Sequence, residues 1–309
     1  MNPKVTAYLE LAILALLMAL FLWWIYPTEI AQMPQTDIAT DAKPIPIFNT
    51  VPTEAKAVYV YDVTTGKAIY AKNETLQLPL ASLTKVMTAL TASILLPDYA
   101  LVPISLEDIA TEGDSGLYAD EVWTRDNLID FSLLVSSNDG TSALASVAGA
   151  FVAFEQTKPP RELFIERMNS LAQEIGLRET YFLNPSGLDV STSLSGGYGS
   201  AKDMAMLVAH ILDKKPHLLE ATSYPQVTIN SKSFIHPAVN TNKAIGSIPN
   251  VLASKTGFTD LSGGNLVVAF DAGLNHPVVI SILGSSREGR FTDMASMVQA
   301  TLDYLAQNP

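Results

Sequence analysis

The chain of 309 residues has no cysteine, 31 acidic against 19 basic residues and a formal net charge of −12. Without cysteine there is no disulfide scaffold, no thiolate-ligated metal or cluster and no cysteine nucleophile, and the acidic balance argues against nucleic acid as a partner. The length allows one large domain or two ordinary ones, yet a mean hydropathy of +0.22 is high for a globular chain and points to one unusually apolar segment.

That segment opens the chain. From Leu11 to Tyr26 only the Trp and Tyr ring heteroatoms are polar, and extension back to Val5 adds Thr6 and Glu10. A helix over residues 5–26 would rise about 33 Å, enough to cross a hydrocarbon layer of about 30 Å. Trp23, Trp24 and Tyr26 cluster at its far end, where amphipathic rings favour the headgroup level. Lys4 precedes the span while Glu29, Asp37 and Asp41 follow it. The positive-inside bias therefore places residues 1–4 in the cytoplasm and everything after Tyr26 outside. The long apolar run and the lack of an Ala-x-Ala site favour a retained anchor over a cleaved signal peptide.

Residues 27–52 carry five prolines and no apolar periodicity, which predicts an extended tether. One folded domain is expected over 53–309. It begins with a hairpin, Ala57–Val63 and Ala68–Ala71, around the turn signal Thr65-Gly66. A helix follows from Ser82 to Leu95, stopped by Pro97. Helical patterns recur at Asp126–Ser136, Thr141–Phe151, Glu162–Ile175 and Ala201–Leu212, the last opened by Ser200 with Asp203 three residues on. Strand patterns then take over at Gln226–Asn230, Phe234–Ala238, Val251–Gly257, Asn265–Asp271 and Pro277–Leu283, before a final helix over Glu288–Leu305. Strands at both ends with helices between predict an α+β fold, a mostly antiparallel sheet with helices packed on it.

Three short motifs carry possible chemistry. In Ser82-Leu-Thr-Lys85 the serine and lysine share a helix face, so a neutral lysine could activate the hydroxyl. Alone, such a pair usually marks a solvated helix face. Ser136-Ser-Asn138 precedes Asp139-Gly140 and has the composition of a helix end and turn; it could equally supply a proton-shuttling hydroxyl and an orienting amide. Lys255-Thr-Gly257 ends an apolar strand. It suits a strand-edge guard, or a cation and hydroxyl for a carboxylate beside a glycine that lets a substrate backbone approach.

Together and in this order, the three resemble the signature set of serine β-lactamases and penicillin-binding proteins. The surrounding words Ala81-Ser-Leu-Thr-Lys-Val-Met-Thr88, Asn184-Pro-Ser-Gly-Leu-Asp189 and Lys255-Thr-Gly-Phe-Thr-Asp260 resemble the D-alanyl-D-alanine carboxypeptidases. The resemblance spans roughly residues 53–307. It implies a β-lactamase/transpeptidase-like fold and no metal or cofactor. Ser82 would be the acylated nucleophile and Lys85 its general base, with Ser136 relaying the proton and Asn138 holding the substrate amide. Lys255 and Thr256 would bind the terminal carboxylate, with Gly257 and Phe258 lining the cleft. The N–H groups of Ser82 and Phe258 would form the oxyanion hole. Arg290 resembles an arginine that assists carboxylate binding; a solvated arginine at a helix start is the alternative. The implied substrate is the peptidoglycan stem peptide, with β-lactams as inhibitors, in a bacterial membrane protein whose catalytic domain lies outside the cytoplasm.

Two departures from the family pattern matter. Phe258 stands where many carboxypeptidases have His, which keeps an endopeptidase acting on cross-links open. No E-x-x-L-N segment lies between Asn138 and Lys255, which weakens a β-lactamase. A non-catalytic penicillin sensor or wall-binding module is the alternative of another class. Relatives often carry a C-terminal β-domain and anchor; here the N-terminal span is expected to take the anchor's place.

Overall fold

The strands β1 (Ala57–Asp62), β2 (Lys67–Lys72), β3 (Val251–Thr259), β4 (Gly263–Asp271) and β5 (Pro277–Ser285) form one sheet in the order β3-β4-β5-β1-β2. Every pairing in it is antiparallel. The computed structural model describes residues 46–153 and 157–308. The expected span over 5–26 lies outside them, and among the described residues no helix is long and apolar enough to cross a membrane.

Both faces of the sheet are covered, which is why its strands read as nearly unbroken apolar runs rather than as alternations. Val58 and Val60 join Leu266, Val268, Ile280 and Ile282 beneath one layer. Ala57 and Tyr59 point the other way and join Val267, Ala269 and Val279. The first layer is the C-terminal helix, which buries Phe291, Met294, Met297 and Val298 on one stripe. The second is a helical half-molecule.

Besides a single capped turn at Leu106–Ile109, the helices among the described residues are, in chain order, α1 (Pro46–Asn49), α2 (Thr84–Leu95), α3 (Arg125–Leu134), α4 (Asn138–Val152), α5 (Pro160–Ile175), α6 (Ala201–Lys214) and the C-terminal α7 (Gly289–Gln307). Of these, α2 is buried along almost its whole length, so its amphipathic face is hard to define from sequence. The expected α+β architecture is the observed one.

Several details differ from expectation. Phe48 in α1 is 1% exposed and stacks on Tyr70 with ring centroids 4.8 Å apart. The packed fold therefore extends N-terminal to Thr53, through a turn too short to show periodicity. Helix α4 starts at Asn138 rather than Thr141, because the Ser137 hydroxyl caps it by accepting from Gly140 N at 2.9 Å. The second hairpin is Gln226–Asn230 with Ile235–Val239, one residue later than expected, and it pairs only with itself. Two- and three-residue strands build the small remaining sheets, and nothing so short leaves a pattern in the sequence.

Candidate active site

The three motifs converge at the edge of the sheet. Ser82 lies in a 3-10 turn, Ala81–Leu83, that leads into α2. Its neighbours Ala81 and Leu83 are fully buried, which fixes the turn and leaves the serine partly open. Ser136 lies in the short link between α3 and α4. Ala81 (φ 47°) and Ser136 (φ 62°) both hold a positive φ that non-glycine residues rarely adopt; such strain gathers where geometry is imposed by the surroundings. The edge strand β3 brings Lys255, Thr256, Gly257 and Phe258 alongside.

Lys85 is wholly buried, one turn along from the serine. Its amine has three oxygen neighbours: Ser82 Oγ at 2.8 Å, Asn138 Oδ1 at 2.7 Å and the Ser186 carbonyl at 2.7 Å. The charges acting on it are those of Lys255 and Asp139, and among the described residues no carboxylate bonds the amine. Burial holds Lys85 well below the usual lysine range, the Lys255 charge pushes the same way, and Asp139 opposes. A neutral amine has two N–H bonds and one lone pair. The Asn138 and Ser186 oxygens can only accept, so they take both N–H bonds. The lone pair is left facing Ser82, the one neighbour with a proton to give.

Asn184 sets the third of these contacts. Its Oδ1 accepts from Ser186 N at 3.2 Å and Gly187 N at 2.7 Å, while its Nδ2 donates to the Leu188 carbonyl at 2.9 Å. Thr88 donates to the Pro185 carbonyl at 2.6 Å. At Gly187 (φ 79°) a Cβ would lie 1.9 Å from the Ala81 carbonyl, so only glycine lets this loop press against the nucleophile turn. The word Asn184–Asp189 was visible in the sequence; its service to Lys85 was not.

Asn138 is oriented from both sides, because its Nδ2 donates to the Glu112 carbonyl at 2.7 Å. Ser115 ties the same loop to the start of α4, bonding Ser137 Oγ at 2.7 Å and donating to Asp139 Oδ2 at 2.8 Å. No motif pointed to Glu112 or Ser115.

On the facing wall Lys255 donates to Ser136 Oγ and to the Thr256 carbonyl, both at 2.9 Å. Burial, then the Arg290 charge, brings its amine down to about 7. Thr256 Oγ1 lies 2.6 Å from Thr241 Oγ1, a partner 15 residues upstream that the sequence did not single out. Of the two expectations for Arg290, the solvated one fails: the side chain is 8% exposed, donates through Nη1 to the Gly257 carbonyl at 2.6 Å and leaves Nε without a protein partner. Among the described residues neither of these buried basic groups, Lys255 or Arg290, bonds a carboxylate, an arrangement that favours an incoming anion.

Gly257 has a different reason from the expected one. A Cβ there would meet Leu80 O at 2.8 Å and Ser82 N at 3.2 Å. The close approach is by the protein's own nucleophile turn, and the missing side chain keeps the Ser82 amide uncovered.

This geometry, an acceptor-fixed lysine on a serine with an anion clamp opposite, coincides with family membership. The family model described as D-alanyl-D-alanine carboxypeptidase matches residues 46–286. The chain belongs to the D-alanyl-D-alanine carboxypeptidase family. It is 27% identical over 263 residues to DacF of Bacillus subtilis, across 83% of this chain and 64% of that protein. It is 29% identical over 222 residues to a D-alanyl-D-alanine endopeptidase of Pseudomonas aeruginosa, across 68% of this chain and 64% of that one. The chain thus spans a little under two thirds of both relatives. Among solved structures, a D-alanyl-D-alanine carboxypeptidase from Mycobacterium tuberculosis shares the fold, with a TM-score of 0.71 at 24% identity over 85% of this chain and 95% of that one. Penicillin-binding protein D2 of Listeria monocytogenes in its ampicillin-bound form superposes with a TM-score of 0.65 at 27% identity, over 80% of this chain and 97% of that one.

Proposed function

We propose that the chain is a membrane-tethered serine D-Ala-D-Ala carboxypeptidase that removes the terminal D-alanine from peptidoglycan stem peptides. The observation that carries this reading is the buried Lys85 amine 2.8 Å from Ser82 Oγ, with carbonyl oxygens that can only accept as its two other neighbours. Ser82 Oγ attacks the penultimate D-Ala carbonyl as its proton passes to Lys85. The oxyanion is received by the N–H groups of Ser82 and Phe258. The proton is returned through Ser136 to the leaving nitrogen, D-alanine departs, and water hydrolyses the Ser82 ester. Asn138 orients the substrate amide, and Lys255, Thr256 and Arg290 hold the terminal carboxylate. β-Lactams, which carry the same carboxylate and a strained amide, acylate the same serine. Residues 5–26 anchor the chain and the prolines that follow give it reach from an extracytoplasmic position.

The test is full-length protein in detergent, incubated with a fluorescent penicillin and with a D-Ala-D-Ala pentapeptide. Ser82-dependent labelling together with D-alanine release is expected; labelling that survives Ser82→Ala overturns the assignment. Labelling without D-alanine release would make the protein a penicillin sensor instead. A second reading, an endopeptidase acting on cross-links, is favoured by Phe258 and by the endopeptidase names among the relatives. Product analysis on a cross-linked dimer separates the two.

A further inference from the structure

Side chains alternate across a strand, so Thr256 and Phe258 stand on one face of β3, about 7 Å apart along it. Thr256 marks the carboxylate clamp, and Arg290 bonds the residue between them through the Gly257 carbonyl. The half-buried Phe258 ring carries the Arg287 guanidinium 4.9 Å from its centroid. Arg287 itself is exposed, and among the described residues it has no carboxylate partner.

Three nearby acids are already engaged, and the exposed Glu54 and Asp260 make no ion pair with Arg287. Glu288 is held by Lys243 at 3.0 Å. Asp293 accepts from Glu54 N, Ala55 N and Ser285 Oγ. Asp189 accepts from Thr259 on the opposite face of β3. Past the proposed clamp this face of β3 therefore presents a second cationic position with an apolar floor: a ring for an aliphatic arm and a guanidinium for whatever anion ends it.

We infer that Phe258 and Arg287 form an anion subsite on the leaving-group side that extends the substrate range beyond a departing D-alanine, to peptides whose departing D-amino acid bears a second carboxylate at the end of a short aliphatic side chain. A departing D-alanine, with only a methyl group, would leave both residues unused. This rests on the peptidase reading above and names the substrate class within it.

The test compares release from three acyl-L-Lys-D-Ala-D-Xaa peptides, with Xaa as Ala, Glu or Gln, using full-length protein in detergent. Glu and Gln have nearly the same shape, so their kcat/KM ratio reads the charge alone. The expected Glu-to-Gln ratio is about five, the size of one exposed ion pair, and it should fall as salt rises. In Arg287→Gln the ratio should drop to about one, in line with a single lost ion pair. Phe258→Leu should lower it part of the way, because the guanidinium loses its platform. A wild-type ratio at or below one, or a ratio unchanged in Arg287→Gln, overturns the subsite while leaving the peptidase intact. No release from any of the three peptides overturns the peptidase reading and the subsite with it.

Discussion

Lys255 Nζ donates to Ser136 Oγ across 2.9 Å, and this bond spans the cleft from the sheet edge to the link between α3 and α4. It couples the proposed anion clamp to the hydroxyl proposed to return the proton to the leaving group. Burial and the Arg290 charge bring the Lys255 amine down to about 7, low for a group proposed to hold a carboxylate. An arriving carboxylate would raise it again and complete its charging.

The pH dependence of acylation follows. For the free enzyme, the second-order rate with a carboxylate-bearing penicillin needs Lys85 neutral and Lys255 charged. Lys85 loses its proton as pH rises, which gives the ascending limb. Lys255 loses its own from about 7 upward, which gives the descending limb. In Lys255→Arg the guanidinium stays charged, so the descending limb should move above pH 9 (an arginine pKa being above 12). A stopped-flow profile in which both proteins descend together would exclude Lys255 as its origin.

Stability should show the opposite slope over the same range. Both buried lysines have folded values below 10.5, so the unfolded chain binds more protons than the folded one. Their contribution is complete only above 10.5 and declines as pH falls, that of Lys255 down to about 7. Tyr59, pushed up to about 12 by burial, opposes this only above its ordinary value of 10.0. Urea midpoints should therefore rise from pH 7 to pH 9, and Lys255→Met should flatten that rise. An equal slope in the variant would count against a neutralised Lys255.

Asn184 bonds neither Ser82 nor Lys255, Thr256 or Arg290, yet it holds the loop whose Ser186 carbonyl meets Lys85. Asn184→Ala should slow penicillin acylation by about ten- to a hundredfold, the scale of a small misplacement of a catalytic group. The noncovalent dissociation constant should change little. Asn184→Asp keeps the accepting oxygen and should recover part of the rate. Weaker binding at an unchanged acylation rate would assign the loop to substrate contact instead.

What could be read in the sequence was the chemistry at fixed spacing and the long periodic elements. Ser82 and Lys85 share a helix face at any tertiary fold, and the apolar runs of β3, β4 and β5 were visible because both their faces are buried. The second layer of the site was not legible. Glu112 and Ser186 act through backbone carbonyls, which every residue possesses, and Thr241 reaches Thr256 only through the turn after the second hairpin. Arg290 is a surface residue or a buried one according to where α7 lands on the sheet, and no local pattern encodes that. Gly257 was recognised as a close approach, but the approaching backbone, that of Leu80 and Ser82, lies far away in sequence.

The N-terminal limit of the fold gives the last test. Phe48 packs against Tyr70 of β2 and Tyr304 of α7, on the face of the sheet covered by the C-terminal helix and away from the helical half that carries Ser82. Removing a fully buried phenylalanine costs about 3 kcal/mol or more, which for a domain of this size lowers the melting midpoint by roughly 6–12 °C. Phe48→Ala should therefore melt earlier while its penicillin acylation rate at 20 °C stays within about twofold of wild type, since a stable domain with this loss remains folded there. A chain beginning at Thr53 lacks the same ring and should show at least the same drop. An unchanged midpoint in Phe48→Ala would mean that the turn before Thr53 contributes nothing to the domain, and that the fold starts where the proline-rich stretch ends.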